Sequence, residues 1–140
     1  MIASDGSATT ISESIGIDGG QGDDIITNSV NSITTFSNAI SDTTSVSVSG
    51  GGSIGLAENA SVANASSISE AYSTGIDGGQ GIDTIENSSE IESTAKADAE
   101  ATATSVTVTI GVGSAETAGT GDSSATARAS AIGIEGGSED

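Results

Sequence analysis

The sequence predicts an all-β repeat protein, a parallel β-solenoid of ~59-residue repeats with about two rungs in each. Three observations point there. A glycine-rich box, Gly16-Ile17-Asp18-Gly19-Gly20-Gln21-Gly22-Asp23-Asp24-Ile25-Ile26, returns as Gly75-Ile76-Asp77-Gly78-Gly79-Gln80-Gly81-Ile82-Asp83-Thr84-Ile85 and begins again at Gly133-Ile134-Glu135-Gly136-Gly137. Its spacing is nearly constant, 59 residues from Ile17 to Ile76 and 58 from Ile76 to Ile134, and a fixed period of this length marks a repeat architecture. Between the boxes, side chains alternate with the period of two that a strand requires.

Composition narrows the alternatives. The 140 residues include one Phe, one Tyr, one Met and no Trp, so a core of large interlocking side chains is not available. Few aromatics and a formal charge of −18 resemble a disordered chain, and disorder in the absence of metal is the competing reading. Against it stand the wealth of Val, Ile and Thr and the complete lack of Pro, which suits a backbone that donates every N–H to a ladder. Absent Cys and His remove disulfides, zinc-type sites and the usual general base, so no enzyme is expected. Lys96 and Arg128 are the only basic residues; neither a nucleic acid nor an acidic membrane finds a partner surface, and no run approaches the ~20 apolar residues of a membrane span. Clustered carboxylates do call for a cation.

Residues 1–15 correspond to the end of a repeat, 16–74 and 75–132 to two full repeats, and 133–140 to the start of a third, so 1–140 reads as one array that begins and ends partway through a unit. Residues 25–48 carry Ile26, Val30, Ile33, Phe36, Ile40, Val46 and Val48 without a helical stripe. Gly50-Gly51-Gly52 and Gly111-Val112-Gly113 break each repeat near its middle, which predicts glycine corners. Residues 53–74 resume with Ile54, Leu56, Val62, Ile68 and Tyr72, the last expected half-buried. In the second repeat, Ala95 to Ala103 alternate on odd numbers and Val106, Val108, Ile110 and Val112 on even ones. With small apolar residues expected inside and Ser, Thr and acidic residues outside, a corner or bulge near Thr104-Ser105 must re-aim the chain. A second flip separates Ala125, Ala127, Ala129 and Ala131 from Ile132 and Ile134. Ala, Lys and Glu also favour helix over 95–103, but strict alternation would scatter those alanines around a helix. The architectural alternative is long antiparallel β-hairpins stacked into a fibre, with strands beyond the common 3–10 residues.

The boxes Gly19-Gly20-Gln21-Gly22-Asp23-Asp24-Ile25-Ile26-Thr27 and Gly78-Gly79-Gln80-Gly81-Ile82-Asp83-Thr84-Ile85-Glu86 resemble the RTX (haemolysin-type) calcium-binding nonapeptide at each defined position. That family comprises secreted bacterial toxins, enzymes, adhesins and surface-layer proteins whose tandem nonapeptides form a parallel β-roll. The resemblance implies calcium, with the carboxylates of Asp24 and Asp83 as ligands and backbone carbonyls near Gly20, Gly22, Gly79 and Gly81 completing a hard oxygen site. Asp18, Asp23 and Asp77 stand close enough in sequence to contribute directly or through water. In the family the nonapeptides run in tandem, whereas here some 50 residues separate the boxes. The plainer reading is a Gly-rich corner in which Asp favours the turn.

These features make the expected product a structural subunit or segment of an extracellular or cell-surface bacterial filament or matrix fibre, associating end to end and stabilised by calcium. The alternative is a repeat segment of a large surface adhesin or ice-binding protein, for which Thr102/Thr104 and Thr107/Thr109 would be outward pairs; these are read first as ordinary outward strand positions. Three Asn-x-Ser sequons, at Asn59, Asn64 and Asn87, arise readily by chance in so Ser-rich a chain.

Overall fold

A computed structural model describes residues 2–54, 57–112 and 115–138. Leu56, Gly113 and the last two positions of the third repeat start, 139–140, lie outside the described residues. Seven strands follow one another without a helix among the described residues: β1 (Ile2–Asp18), β2 (Ile25–Asn28), β3 (Ile33–Ile54), β4 (Ala57–Asp77), β5 (Thr84–Asn87), β6 (Ile91–Val112) and β7 (Ala115–Glu135). The chain is all-β, and its strands pair in parallel between repeats. They form three sheets, ordered β1-β4-β7, β2-β5 and β3-β6.

Each strand therefore lies beside its own equivalent from the next repeat. Ile25 pairs with Thr84 and Asn28 with Asn87. In β3-β6, a β-carbon built at Gly52 would lie 3.1 Å from the Ile110 carbonyl. The offset is 59 residues from β2 to β5 (84 − 25) and 58 from β3 to β6 (91 − 33). The single-residue difference falls in the connections, four residues at 29–32 against three at 88–90. A slip inside a strand would turn every following side chain to the opposite face.

Several sequence expectations need correction. Two rungs per repeat would place neighbouring strands half a repeat apart, but each repeat contributes one strand to each sheet. The antiparallel alternative anticipated strand lengths of 21 and 22 residues better than the pairing, since β3 and β4 belong to different sheets. Gly50-Gly51-Gly52 is not a corner; β3 runs through it to Ile54. Nor does the chain turn at Thr104-Ser105, because β6 alternates half-buried and exposed residues evenly from Ile91 to Ile110. The second flip has a counterpart in β4, where Ser73, Gly75 and Ile76 are all buried with no break in the strand.

The chain forms two compact units, Met1–Thr9 with Ser41–Ile68 and Ala99–Thr126, and Thr10–Ile40 with Ser69–Asp98 and Ala127–Asp140. In the first, the buried residues are Ser41, Thr43, Ser45, Ser47, Ser49, Ser61, Ala63, Ala65 and Ser67. In the second they include Thr35, Ser37, Ala39, Ser69, Ala71, Ser73 and Ile76. The interior thus selects for size rather than hydrophobicity. Phe36, Ile40, Val46, Val48, Val106 and Val108 all point outward, which overturns the expectation of Ser and Thr outside and explains the missing corner. Tyr72 is likewise exposed, at 37%.

Most of the buried hydroxyls are satisfied across the layer. In the first unit Ser41, Ser45, Ser47 and Ser67 donate to the carbonyls of Ala8 (3.2 Å), Ser4 (3.1 Å), Ile2 (3.0 Å) and Ser41 (2.7 Å). In the second, Ser37 donates to the Ser12 carbonyl at 2.7 Å and Ser73 to Thr35 Oγ1 at 2.8 Å. A short seryl side chain reaches a facing backbone only if the sheets lie well inside the ~10 Å of ordinary face-to-face packing. Thr107 and Thr109 take part from the inner side, Thr107 Oγ1 donating to the Ala118 carbonyl and Thr109 Oγ1 accepting from Asn59. They are not outward positions.

This packing inverts the usual substitution pattern. Ser67→Val should lower stability by about 1–3 kcal/mol through overpacking, whereas Val108→Ser should change it by no more than about 0.5 kcal/mol. Urea denaturation of both variants checks this, and a larger loss from Val108→Ser would contradict the assignment of inner and outer faces.

Candidate metal centre at the glycine-aspartate corner

All three boxes fall in the second unit; the first two lie between the end of a long strand and the start of a short one, and the third follows the end of β7. Gly20, Gly79 and Gly137 have φ of 89°, 87° and 88°, and Gly22 and Gly81 have 105° and 132°. These are left-handed conformations that cost a residue with a β-carbon but not glycine. The turn repeats because its glycines do.

Backbone bonds join the turns in register. Gly19 N donates to the Asp77 carbonyl at 2.8 Å and Gly78 N to the Glu135 carbonyl at 2.9 Å. Gln80 N donates to the Gly20 carbonyl at 2.8 Å, Ser138 N to the Gly79 carbonyl at 3.1 Å, and Gly22 N to the Gln80 carbonyl at 2.7 Å. A β-carbon at Gly79 or Gly81 would collide with the carbonyl of Gly20 or Gly22. The carbonyls of Gly20 and Gly79, expected as ligands, are thus each already engaged in the ladder by one bond.

The aspartates divide into two kinds. Asp18 Oδ1 accepts from Gly20 N and Asp77 Oδ1 from Gly79 N, each at 2.9 Å; these are turn-forming contacts within one box. Asp23 Oδ1 accepts from Ile82 N, and Asp83 Oδ1 from Asp24 N, both at 2.9 Å across 59 residues. Those two tie one box to the next.

Asp24 Oδ2 and Asp83 Oδ2 remain, both buried and without a hydrogen-bond partner. A β-carbon at Gly78 or at Gly137 would stand 2.7 Å from Asp83 Oδ2. The oxygen occupies a cradle that only glycine leaves open. An unpaired carboxylate oxygen out of water is costly, and a hard cation would offset that cost. Asp24 and Asp83 therefore fit the donor chemistry expected of them. Among the described residues, no three acidic side chains gather closely enough to hold a metal through carboxylates alone, so peptide carbonyls or water would have to complete any site.

The sequence reading missed the ladder beside the box. Asn28 Nδ2 donates to Asn87 Oδ1 at 2.8 Å, and the hydroxyls of Thr35 and Ser93 bond at 2.9 Å. Comparing polar residue types at the repeat offset would have found both. Of the three sequon asparagines, Asn59 and Asn87 are half-buried and hydrogen-bonded while Asn64 is exposed. A surface depression lined by Thr27, Ser29, Ile85, Glu86, Asn87 and Ser88 offers one ionisable group, Glu86. Elsewhere on this unit, Tyr72 donates to Glu70 at 3.1 Å, and that bond, followed by desolvation, raises the phenol above its ordinary pKa. Arg128 lies 3.9 Å from the same carboxylate.

Gly20→Ala should cost about 1–2 kcal/mol from its backbone conformation, because nothing lies within 4 Å of the added carbon. Gly79→Ala should cost markedly more, since the neighbouring turn must move as well. Equal shifts in denaturation midpoint would show that the turns do not stack as described. Comparison with protein-family models, with curated proteins and with solved structures finds no significant match to this chain, so the corner is interpreted from its own geometry.

Proposed function

We propose that the chain is a structural repeat array, a subunit or segment of an extracellular bacterial filament or matrix fibre, in which each repeat forms one coil of a parallel β-solenoid. The observation that carries this reading is the ladder. The β2-β5 pairs, the Asn28–Asn87 amides and the Thr35–Ser93 hydroxyls each connect a residue to its own equivalent 58 or 59 positions away, and the backbone bonds between boxes run one position to either side of those equivalents. A unit that recognises its own copy in this way is built for repetition.

End-to-end association is the growth mode that the exposed side of β7 supports. Ser69, Ala71 and Ser73 of β4 are buried, whereas Ala127, Ala129 and Ala131 of β7, one repeat later, are exposed. Ile76 is 0% exposed and its equivalent Ile134 is 47% exposed. An uncovered strand with the pattern of a buried one is a template for another strand.

Calcium belongs to the same reading. Stacking copies of a chain with net charge −18 brings carboxylates into rows that repel unless cations intervene. Asp24 and Asp83, with carbonyls of the glycine turns, are the groups that would hold the ion, and its contribution is to neutralise oxygens the fold buries. The resemblance of the box to the calcium nonapeptide agrees with this assignment.

With calcium present, the purified chain should form assemblies visible by electron microscopy and give a fibre reflection near the ~4.8 Å strand spacing. A monomer at every concentration tested would refute the filament reading. Asp24→Ala combined with Asp83→Ala should weaken calcium binding at least about tenfold, or ~1.4 kcal/mol, in a calorimetric titration. Unchanged affinity would place calcium elsewhere.

A further inference from the structure

We propose that the outer face of β3 and β6 within the first unit is a lateral docking surface for the same face of a second copy, so that stacked arrays pair side by side. This inference rests on the filament reading above. It arises from aliphatic side chains for which the fold has no internal use.

Val48, Ile54, Val106, Val108, Ile110 and Val112 are exposed by 56, 96, 42, 49, 74 and 79%. At the 58-residue offset of β3 and β6, Val48 stands beside Val106 and Ile54 beside Val112, forming one continuous stripe. The outward positions 44–54 of β3 and 102–112 of β6 include no charged residue. On a chain carrying −18, this is a face that a like-charged copy can approach without local repulsion.

Gly50 and Gly52 sit within the stripe, opposite Val108 and Ile110. The backbone does not require glycine at 50. Its φ is not among the positive values, and the nearest atom to a built β-carbon is the Val108 carbonyl at 3.8 Å. Glycine inside a strand weakens it and often marks the close approach of another chain. Here it leaves a trough on β3 next to the Val108 and Ile110 knobs on β6. A two-fold copy seats its knobs in this trough and receives the reciprocal pair, as an isologous contact requires.

Area determines when pairing occurs. From Val46 to Ile54 over two strands, the stripe measures about 27 by 10 Å, roughly 270 Å². A stable interface needs about 800 Å² from each partner. One chain falls short, while three or more stacked chains suffice, so lateral pairing is coupled to stacking.

Mass per unit length of assemblies grown with calcium, measured by scanning transmission electron microscopy, tests the proposal. The wild type should show twice the value of a single stack. Val108→Lys, which places charge on the knob, and Gly50→Val, which fills the trough, should each halve it while assemblies persist. Gly50→Val also improves strand propensity, so its thermal midpoint should hold or rise, separating loss of pairing from loss of fold. A wild type already at the single-stack value, or variants with unchanged mass per length, would overturn lateral pairing and leave the filament reading standing. A wild type that never assembles would overturn both.

Discussion

The contact on which this structure depends is a serine hydroxyl donating to a backbone carbonyl of the facing sheet. Ser37 to Ser12 and Ser67 to Ser41, both at 2.7 Å, are examples from the two units. Each demands that the layers come close, and closeness in turn excludes any large side chain from the space between them. Alanine, serine and threonine are what remain. A net hydrogen bond contributes only about 0.5–1.5 kcal/mol, but a buried hydroxyl left without one costs about 1–3 kcal/mol. The layer therefore gains as much from avoiding error as from attraction, and a shifted register would orphan many hydroxyls together.

The glycine-aspartate corner follows the same logic in a different form. Asp18, Asp77 and Asp23 spend one oxygen each on backbone N–H groups that the turn would otherwise leave bare. Among the described corner aspartates, only Asp24 and Asp83 keep a buried oxygen without a partner. The turn contacts and the partnerless buried oxygens thus fall to different carboxylates of one motif. Sequence alone treats the aspartates alike, because what separates them is which oxygen faces the next repeat.

Much of the fold was legible in the sequence: the all-β class, the near-constant offset between equivalent strands, the absence of helix over 95–103, and the turn at each box. Period and glycine placement encode these directly. The inner face was misread because alternation reveals that two faces exist without saying which is inside. Val106 and Val108 would be the interior of an ordinary sheet, and here Ser105 and Thr107 displace them. The number of strands per repeat was missed for a related reason. Gly50-Gly51-Gly52 looks like a corner, yet glycine also serves in a strand that must stay flat or leave room. Within the candidate site, the grouping of Asp18 to Asp24 with Asp77 to Asp83 followed from spacing, while the bond from Asp24 N to Asp83 Oδ1 required coordinates.

The unequal connections at 29–32 and 88–90 bear on how such a chain tolerates change. Inside the long strands the repeat behaves like a reading frame, where the loss of one residue scrambles everything downstream until a compensating change restores it. The short connection after the box is outside that frame and has already absorbed one residue of difference without disturbing either flanking ladder. It is the natural insertion point of this architecture, the place where foreign sequence could be carried at every repeat while the strands around it keep time.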